Sequence, residues 1–425
     1  MFLSGIALLL GFARELVIAS RFGLSPDLDA YIAVLGFHVF FGTQIGNALE
    51  NAFVSKVAAL GGGHHVATNL RSSFRSLVAV NIAVAAFLLL FANSLLNAIF
   101  PAFTASQHAL SVKILYFLIF SIAFANTAGL VRGGLYVARQ FAPGFLSGSV
   151  ISLSTILTVL LFSRKVGIAS LVGGFIIGNF LVLVLFVIVL KKNGVLSQDL
   201  RTDAYRPKRF YIWSAAALVI LTEIFSQAYS ITQRSFASTL KVGTISSFYY
   251  ATTLVMVPLS LFMTPVTTTL FPRLTETFSK DPREGVRMLR KYGGILFLFS
   301  VAIVALAVKF SHPLVRLIFV RGRFSLYDAR RTADIFSVLV FFLPFSSISR
   351  LATYSFYALS DYRTPIYCRS FEWLMLLVLG AFLVPRYGAT GLAYTSVIAT
   401  ICWSCLLLTL LMLKTRNVRS GANNG

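Results

Sequence analysis

Long apolar runs are the dominant feature of this chain. About twelve windows of roughly twenty mostly apolar residues follow one another, and roughly twenty is the length a helix needs to cross the hydrocarbon core of a bilayer. Of the 425 residues, 57% are hydrophobic and only 12% are charged, and soluble domains carry about 25% charged residues. We therefore exclude a soluble globular protein, a disordered chain and a disulfide scaffold, and predict an all-α polytopic membrane protein. The predicted spans lie at 1–22, 29–59, 74–100, 109–138, 144–163, 167–190, 211–239, 244–271, 292–310, 333–358, 364–384 and 389–413.

The charge balance is strongly basic, with a formal net charge of +23. In a soluble protein such a balance suggests a nucleic-acid partner. Here the Lys and Arg residues lie between the apolar runs, as in the cytoplasmic loops of inner-membrane proteins. Groups of them occupy the loops after spans two, six and eight and the tail, which places both termini in the cytoplasm if the spans are even in number. One loop has arginines on the opposite side, and its segment 313–319 is interpreted as an interfacial amphipathic segment.

An internal repeat with an offset of about 221 residues divides the chain. Gly167-Ile168-Ala169-Ser170-Leu171 at the start of span six recurs as Gly388-Ala389-Thr390-Gly391-Leu392 at the start of span twelve. Two six-span halves of equal orientation typically enclose a central cavity and rock against each other. We therefore predict an N-terminal six-helix lobe at 1–190, a cytoplasmic linker at 191–210, a C-terminal six-helix lobe at 211–415 and a cytoplasmic tail at 416–425.

Ionisable residues inside predicted spans are candidates for function, because a charge in the bilayer is costly. Arg14 and Arg234 correspond within one residue under the repeat, and a pair of guanidinium groups suits a diphosphate. Asp29 and Arg350 complete the predicted substrate-binding set in the cavity. The acidic residues in the predicted spans are candidates for ion coupling. Alternatively, they have structural roles, in contacts between helices or, for Glu15, in an ion pair with Arg14. These acids are Glu15, Glu50 and Glu223.

Motifs for metals, cofactors and ATP are not found in the sequence. Cys402 and Cys405 form a C-x-x-C inside an apolar run without a second pair of ligands, which favours packing over zinc binding. The pair His64-His65 also lacks partners at metal spacing. There is no phosphate-binding G-x-x-x-x-G-K-[ST] loop. We predict no cofactor, no metal and no enzymatic activity.

Several motifs give the chain a resemblance to a known family. The opening Gly11-Phe12-Ala13-Arg14-Glu15 is followed by Asp29-Ala30-Tyr31, Leu270-Phe271-Pro272-Arg273-Leu274, Pro313-Leu314-Val315-Arg316-Leu317-Ile318-Phe319 and Phe356-Tyr357-Ala358-Leu359-Ser360-Asp361. In this order they resemble the MurJ/MviN family of lipid II flippases, within the multidrug, oligosaccharidyl-lipid and polysaccharide exporter superfamily. The resemblance implies two six-helix lobes around a hydrated cationic cavity in the bacterial inner membrane.

Some cavity positions depart from the family pattern. The chain has Leu8 where relatives carry an arginine. In the second and eighth helices, the polar and charged residues of the family are replaced here by His38-Val39, Gly42-Thr43 and Thr252-Thr253. Arg14 and Asp29 remain, and Arg234 is an addition. A different lipid-linked saccharide is therefore an alternative to lipid II.

These observations predict a flippase that moves a polyprenyl-diphosphate-linked saccharide by alternating access. Its partners are this substrate and bilayer lipids, with cell-envelope synthesis proteins as further candidates and no nucleic acid. The alternatives are an exporter of another substrate, a scaffold of cell-envelope synthesis that no longer transports, and a membrane glycosyltransferase. The last is disfavoured because the loop acids are scattered.

Overall fold

The computed structural model describes residues 2–58, 66–195, 211–359 and 361–421. Within these ranges every regular element is a helix. This follows from the apolar composition, because a chain in hydrocarbon must satisfy its backbone hydrogen bonds internally. The predicted linker 191–210 and the pair His64-His65 lie largely or wholly outside the described residues.

The chain divides into two compact units. The first unit comprises Met1–Gln227 with Arg321–Phe324, and the second comprises Ala228–Val320 and Ser325–Gly425. The helices from the N-terminus to the division are α1 (Phe2–Phe22), α2 (Pro26–His38), α3 (Ile45–Ala58), α4 (Val66–Ile99), α5 (Ala105–Val137), α6 (Ala142–Val166), α7 (Ala169–Lys192) and α8 (Tyr211–Ser238), which runs across the division. They are followed by α9 (Thr244–Pro258), α10 (Thr264–Lys280), α11 (Pro282–Lys309), α12 (Ser311–Phe319), α13 (Leu326–Leu339), α14 (Phe342–Ala358) and α15 (Arg363–Gly421).

The prediction of an all-α polytopic membrane protein is confirmed. Each of the twelve predicted spans overlaps a helix, and spans eleven and twelve share α15. By length and apolar composition, eight helices of the described chain can cross a membrane, or nine if the pair α13 and α14, bent by 45°, counts as one span. The apolar part of α15 counts once in that number, although its 53 residues are long enough for two crossings.

Breaks in the helices occur at repeat-related positions. Gly167, before α7, and Gly388, inside α15, have φ/ψ values of 57°/−134° and 58°/−134°. This left-handed φ is open to glycine at no steric cost. A π-helical turn follows α2 at Val39–Gln44, and another follows α9 at Leu259–Met263. The internal repeat that the sequence shows at Gly167 and Gly388 is therefore also present in the backbone conformation.

The interface between α2–α3 and α5 forms the centre of the first unit. The π-helical turn disrupts the regular hydrogen-bond ladder, and the Phe41 carbonyl accepts a hydrogen bond from Asn126 Nδ2 at 2.9 Å. Asn126 also donates to Asn81 Oδ1 at 2.9 Å, which ties α4 to the same point. His38 is buried, and its Nε2 lies 3.1 Å from Ser121 Oγ.

Two glycines let α3 and α5 approach at backbone distance. A Cβ added at Gly129 would lie 2.3 Å from the Gly46 carbonyl oxygen, and one added at Gly46 would lie 3.0 Å from the Ala125 carbonyl oxygen. Small residues permit this close crossing of helices in membranes. The interface therefore depends on the absence of side chains at both positions.

In the second unit, Asp361 links the start of α15 to its far end. Its Oδ1 accepts hydrogen bonds from the backbone N–H groups of Arg363 and Thr364, and its Oδ2 accepts from Thr364 Oγ1 and from Lys414 Nζ. Burial opposes ionisation of this carboxyl group, but the bonds from Lys414 and Thr364 outweigh it and lower the pKa of Asp361 to about 2. Asp361, the last residue of the family motif at 356–361, thus has a structural role.

Gly129→Ala tests the backbone contact between α3 and α5. The added methyl group overlaps a backbone oxygen that cannot rotate away, so we expect a loss of about 1–3 kcal/mol in the free energy of unfolding. The measurement is the thermal unfolding midpoint of the detergent-purified protein. Gly173→Ala is the matched control, because nothing lies within 4 Å of a Cβ there. Equal midpoints for the two variants would contradict the proposed contact.

Candidate functional site

Arg14 and Glu15 form an ion pair between neighbours on α1. Arg14 donates from Nε and Nη2 to Glu15 Oε1 at 3.0 Å and 2.6 Å. The Arg14 side chain is 25% exposed, whereas that of Glu15 is 4% exposed. The second carboxylate oxygen of Glu15, Oε2, is buried and accepts no hydrogen bond from the described chain. Of the pair, the guanidinium is the more accessible partner.

The predicted cavity residue Asp29 lies on α2, next to a tyrosine that is within electrostatic reach of the ion pair. Ser25 begins α2 by accepting a hydrogen bond from the Leu28 N–H, and Asp29 and Tyr31 follow in the first turns, both buried. Tyr31 interacts electrostatically with Arg14 and Glu15. Tyr31 of α2 therefore lies within electrostatic reach of the ion pair on α1, and the joint placement of Asp29 with that pair stays a prediction.

Glu50 has a partner that the sequence analysis missed. Arg132 on α5 forms an ion pair with Glu50 on α3 and donates from Nη2 to Asn47 Oδ1 at 2.8 Å. The two side chains are 21% and 15% exposed. The signal was present in the sequence, since Arg132 is an arginine inside the predicted span 109–138. The pairing places Glu50 in a helix–helix contact, the alternative that the sequence left open.

Arg234 is half-buried on α8 in the second unit. Its Nη1 atom is buried and has no hydrogen-bond partner among the described residues. Tyr249 of α9 interacts electrostatically with it. An arginine presents five donors in a fixed fork, so the described residues leave part of the hydrogen-bonding capacity of Arg234 unused.

A mostly apolar cavity of about 200 Å³ with several polar residues in its walls lies beside α8. Gln233 Nε2 donates to Ser396 Oγ at 2.8 Å across one wall. Hydroxyl and amide groups contribute to its lining together with apolar side chains of α9, α13 and α14. The polar residues lining it are Tyr229, Ser230, Gln233, Thr252 and Ser396.

Arg369 and Glu372 form a further buried network on α15. Arg369 Nη1 donates to Glu372 Oε2 at 2.5 Å, and Thr400 Oγ1 donates to Glu372 Oε1 at 2.9 Å. The guanidinium carbon of Arg369 lies 3.9 Å from the centroid of the Trp403 ring, a cation–π contact. These contacts join the two halves of α15 on either side of Gly388, which indicates a structural role.

The remaining predicted site residues are half-buried. Glu223 lies on α8 in the first unit, and Arg350 lies on α14 in the second. Arg14 and Arg234 belong to different units, so their joint contact with a diphosphate stays a prediction. In the described chain, the predicted interfacial segment 313–319 falls on the short helix α12, where Val315 and Phe319 are buried and Leu317 is 78% exposed.

Comparison with known proteins supports one family across the chain. A family profile described as "Lipid II flippase MurJ" matches residues 18–422. The chain is 26% identical to a probable lipid II flippase MurJ of Rickettsia prowazekii (strain Madrid E), covering 94% of this chain and 80% of the relative. It is 23% identical to one of Borreliella burgdorferi, covering 97% of this chain and 81% of the relative.

Solved structures show the same fold. A structure described as "Lipid II flippase MurJ, inward closed conformation" superposes with a TM-score of 0.82 at 21% identity, covering 97% of this chain and 88% of that one. An inward-facing multidrug resistance transporter of the MATE family and MOP superfamily gives 0.75 at 14% identity, covering 98% and 95%. With the profile matching nearly the whole length, the chain belongs to the lipid II flippase MurJ family.

Proposed function

We propose that this protein translocates lipid II, or a closely related polyprenyl-diphosphate-linked saccharide, across the bacterial inner membrane by alternating access. The observation that carries the proposal is the family match over residues 18–422. The protein acts as a transporter and not as an enzyme, with both termini in the cytoplasm. Its partners are the lipid-linked substrate and bilayer lipids, and its candidate protein partners are those of cell-envelope synthesis.

Arg14 and Arg234 are the residues we assign to the diphosphate, with Asp29 and Arg350 in the same binding set. Arg14 is the exposed member of its ion pair, and Arg234 has a buried nitrogen without a hydrogen-bond partner in the described chain. Guanidinium groups keep their charge and bind phosphate oxygens through two parallel hydrogen bonds.

A different saccharide on the same lipid carrier is the second candidate. The positions where relatives carry other polar groups are used for packing in this chain. His38 is buried against Ser121, and a Cβ at Gly42 would lie 3.3 Å from the Ile122 Cα. Thr252 lines the 200 Å³ cavity instead of supplying a charge. Each lost charged contact is worth about 1.5–3 kcal/mol, enough to change which headgroup binds best.

Glu15 is the acid we favour for ion coupling. Glu15 is paired with Arg14 as Glu50 is paired with Arg132, but the Oε2 atom of Glu15 is buried without a hydrogen-bond partner in the described chain. Glu50 and Glu223 are the other candidates. A charge that moves through the membrane potential gains about 2.3 kcal/mol per 100 mV, which is a source of work that requires no ATP.

Arg14→Ala tests the diphosphate contact. We expect a loss of lipid II translocation of at least tenfold, because a charge-assisted hydrogen bond worth about 1.5–3 kcal/mol is removed. The measurement is accessibility of fluorescent lipid II in proteoliposomes, alongside rescue of cells depleted of their resident lipid II flippase. Arg287→Ala, an exposed arginine of α11, is the matched control.

A double variant separates substrate binding from a purely structural role of Arg14. Arg14→Ala leaves the buried Glu15 carboxylate unpaired, which by itself can cost about 3–5 kcal/mol of stability. Arg14→Ala/Glu15→Gln removes this unpaired charge, so we expect a stable protein that still fails to translocate. Recovery of translocation in the double variant would show that Arg14 serves only to neutralise Glu15.

A double-mutant cycle tests the structural assignment of Glu50. Glu50→Gln and Arg132→Gln each leave one charge unpaired between α3 and α5, and we expect a coupling free energy of about 1–3 kcal/mol between them in thermal unfolding. The double variant is expected to regain stability and to retain lipid II translocation. A stable double variant without translocation would instead assign Glu50 to transport.

A further inference from the structure

The first unit contains a large apolar groove that the proposed function does not use. It is formed by α4, α5 and α7 and has a volume of about 840 Å³, within the range of roughly 300–1,000 Å³ that is typical of small-molecule sites. Phe74, Val78 and Ile82 form a continuous stripe on α4, because residues four apart lie on one helix face. Phe120 and Val187 are among the side chains opposite.

A single arginine stands at one end of this groove, which we call the first groove. Arg71 is exposed and lines it, and Leu190, immediately before the exposed Lys191 and Lys192, lines the same end. From Arg71 to Ala85, the last lining residue of α4, the helix rises about 21 Å. The hydrocarbon core is about 30 Å thick, so the groove reaches somewhat beyond the depth of one leaflet.

The second unit contains a smaller groove of the same kind. This second groove lies between α11, α14 and α15 and has a volume of about 310 Å³. Its lining is mostly apolar, with Phe297 and Leu411 among the wall residues, and Arg290 is the charged side chain among the described residues that line it. Arg290 is exposed, like Arg71, and the exposed Lys291 follows it in the chain.

The two grooves correspond under the internal repeat. Three pairs of lining residues are separated by 221 positions, which is the offset of the internal repeat, and the pair Leu70-Arg71 recurs 219 positions later as Leu289-Arg290. These related positions are Thr127 and Ile348, Val187 and Leu408, Leu190 and Leu411, and Leu70-Arg71 and Leu289-Arg290. An apolar groove with an exposed arginine in its lining is therefore present twice, at positions related by the repeat.

We propose that each groove binds one acyl chain of an anionic phospholipid, with the lipid phosphate against Arg71 in the first groove and Arg290 in the second. The apolar walls accept the chain, and the guanidinium group binds phosphate oxygens in a bidentate manner. Basic pockets between membrane helices are known to select anionic headgroups. A groove about one leaflet deep fits an acyl chain better than a long polyprenyl chain. The proposal concerns resident lipids and does not rest on the proposed transport activity.

The headgroup contact is tested by lipid-dependent stability. The full-length protein in neutral detergent is titrated with phosphatidylglycerol or phosphatidylcholine while its thermal unfolding midpoint is followed, because a ligand that binds the folded state raises that midpoint. We expect a rise of several degrees that is specific to phosphatidylglycerol. Arg71→Gln and Arg290→Gln should each lose part of the rise and together most of it. Arg71→Lys should keep a part, and Arg287→Gln, an exposed arginine outside both grooves, should keep all of it.

The chain contact is tested by filling the first groove. Ala85 lines it, and its neighbour Ala86 is exposed but does not, so Ala85→Trp and Ala86→Trp form a matched pair. Native mass spectrometry should show one phosphatidylglycerol fewer on the Ala85→Trp protein alone. If Ala85→Trp fails to fold, the charge variants above still decide the outcome.

Four results would overturn the assignment. Equal stabilisation by phosphatidylcholine would remove the headgroup selectivity, and equal stabilisation by soluble glycerol phosphate would remove the need for a chain. An unchanged response in Arg71→Gln/Arg290→Gln would place the lipid elsewhere. Polyprenyl phosphate that displaces phosphatidylglycerol at tenfold lower concentration would assign the grooves to the substrate lipid.

Discussion

The requirement that backbone groups in hydrocarbon find partners within the protein governs this structure. It explains why the described residues are helical throughout and why departures from the α-helix are confined to a few positions. Where the π-helical turn at Val39–Gln44 disrupts the ladder, Asn126 supplies a hydrogen bond to the Phe41 carbonyl. The corresponding turn at Leu259–Met263 lies at the same place in the repeat. Such turns are frequent at functional sites. Here one follows α2, which carries Asp29, and the other follows α9, which carries Thr252.

Buried charges obey the same requirement, and the way each one is satisfied separates structure from function. Glu50 and Arg132 neutralise each other between two helices, and Glu372 is satisfied by Arg369 and Thr400. Arg14 and Arg234 differ from these. One retains exposure beside a buried acid, and the other has a nitrogen without a hydrogen-bond partner in the described chain.

Hydropathy and repeat offset were enough to predict the fold class, because the length of an apolar run and the spacing of glycines are properties of the chain alone. The match of Gly167 with Gly388 extends to their φ/ψ values. Partners across helices were harder to predict. Arg132 was overlooked and Glu50 was left ambiguous, since nothing in one sequence states which faces of α3 and α5 meet. The backbone contact of Gly46 with Gly129 sets that register, and it becomes visible only in three dimensions.

The placement of the two ion pairs has a mechanical consequence. Glu50 and Arg132 lie on different helices, so their attraction opposes sliding of α3 along α5. Arg14 and Glu15 are consecutive residues of one helix. Rotation or tilting of α1 therefore carries both charges along without separating them from each other. The first unit thus contains one ion pair that links two helices and one ion pair that lies within a single helix and moves with it.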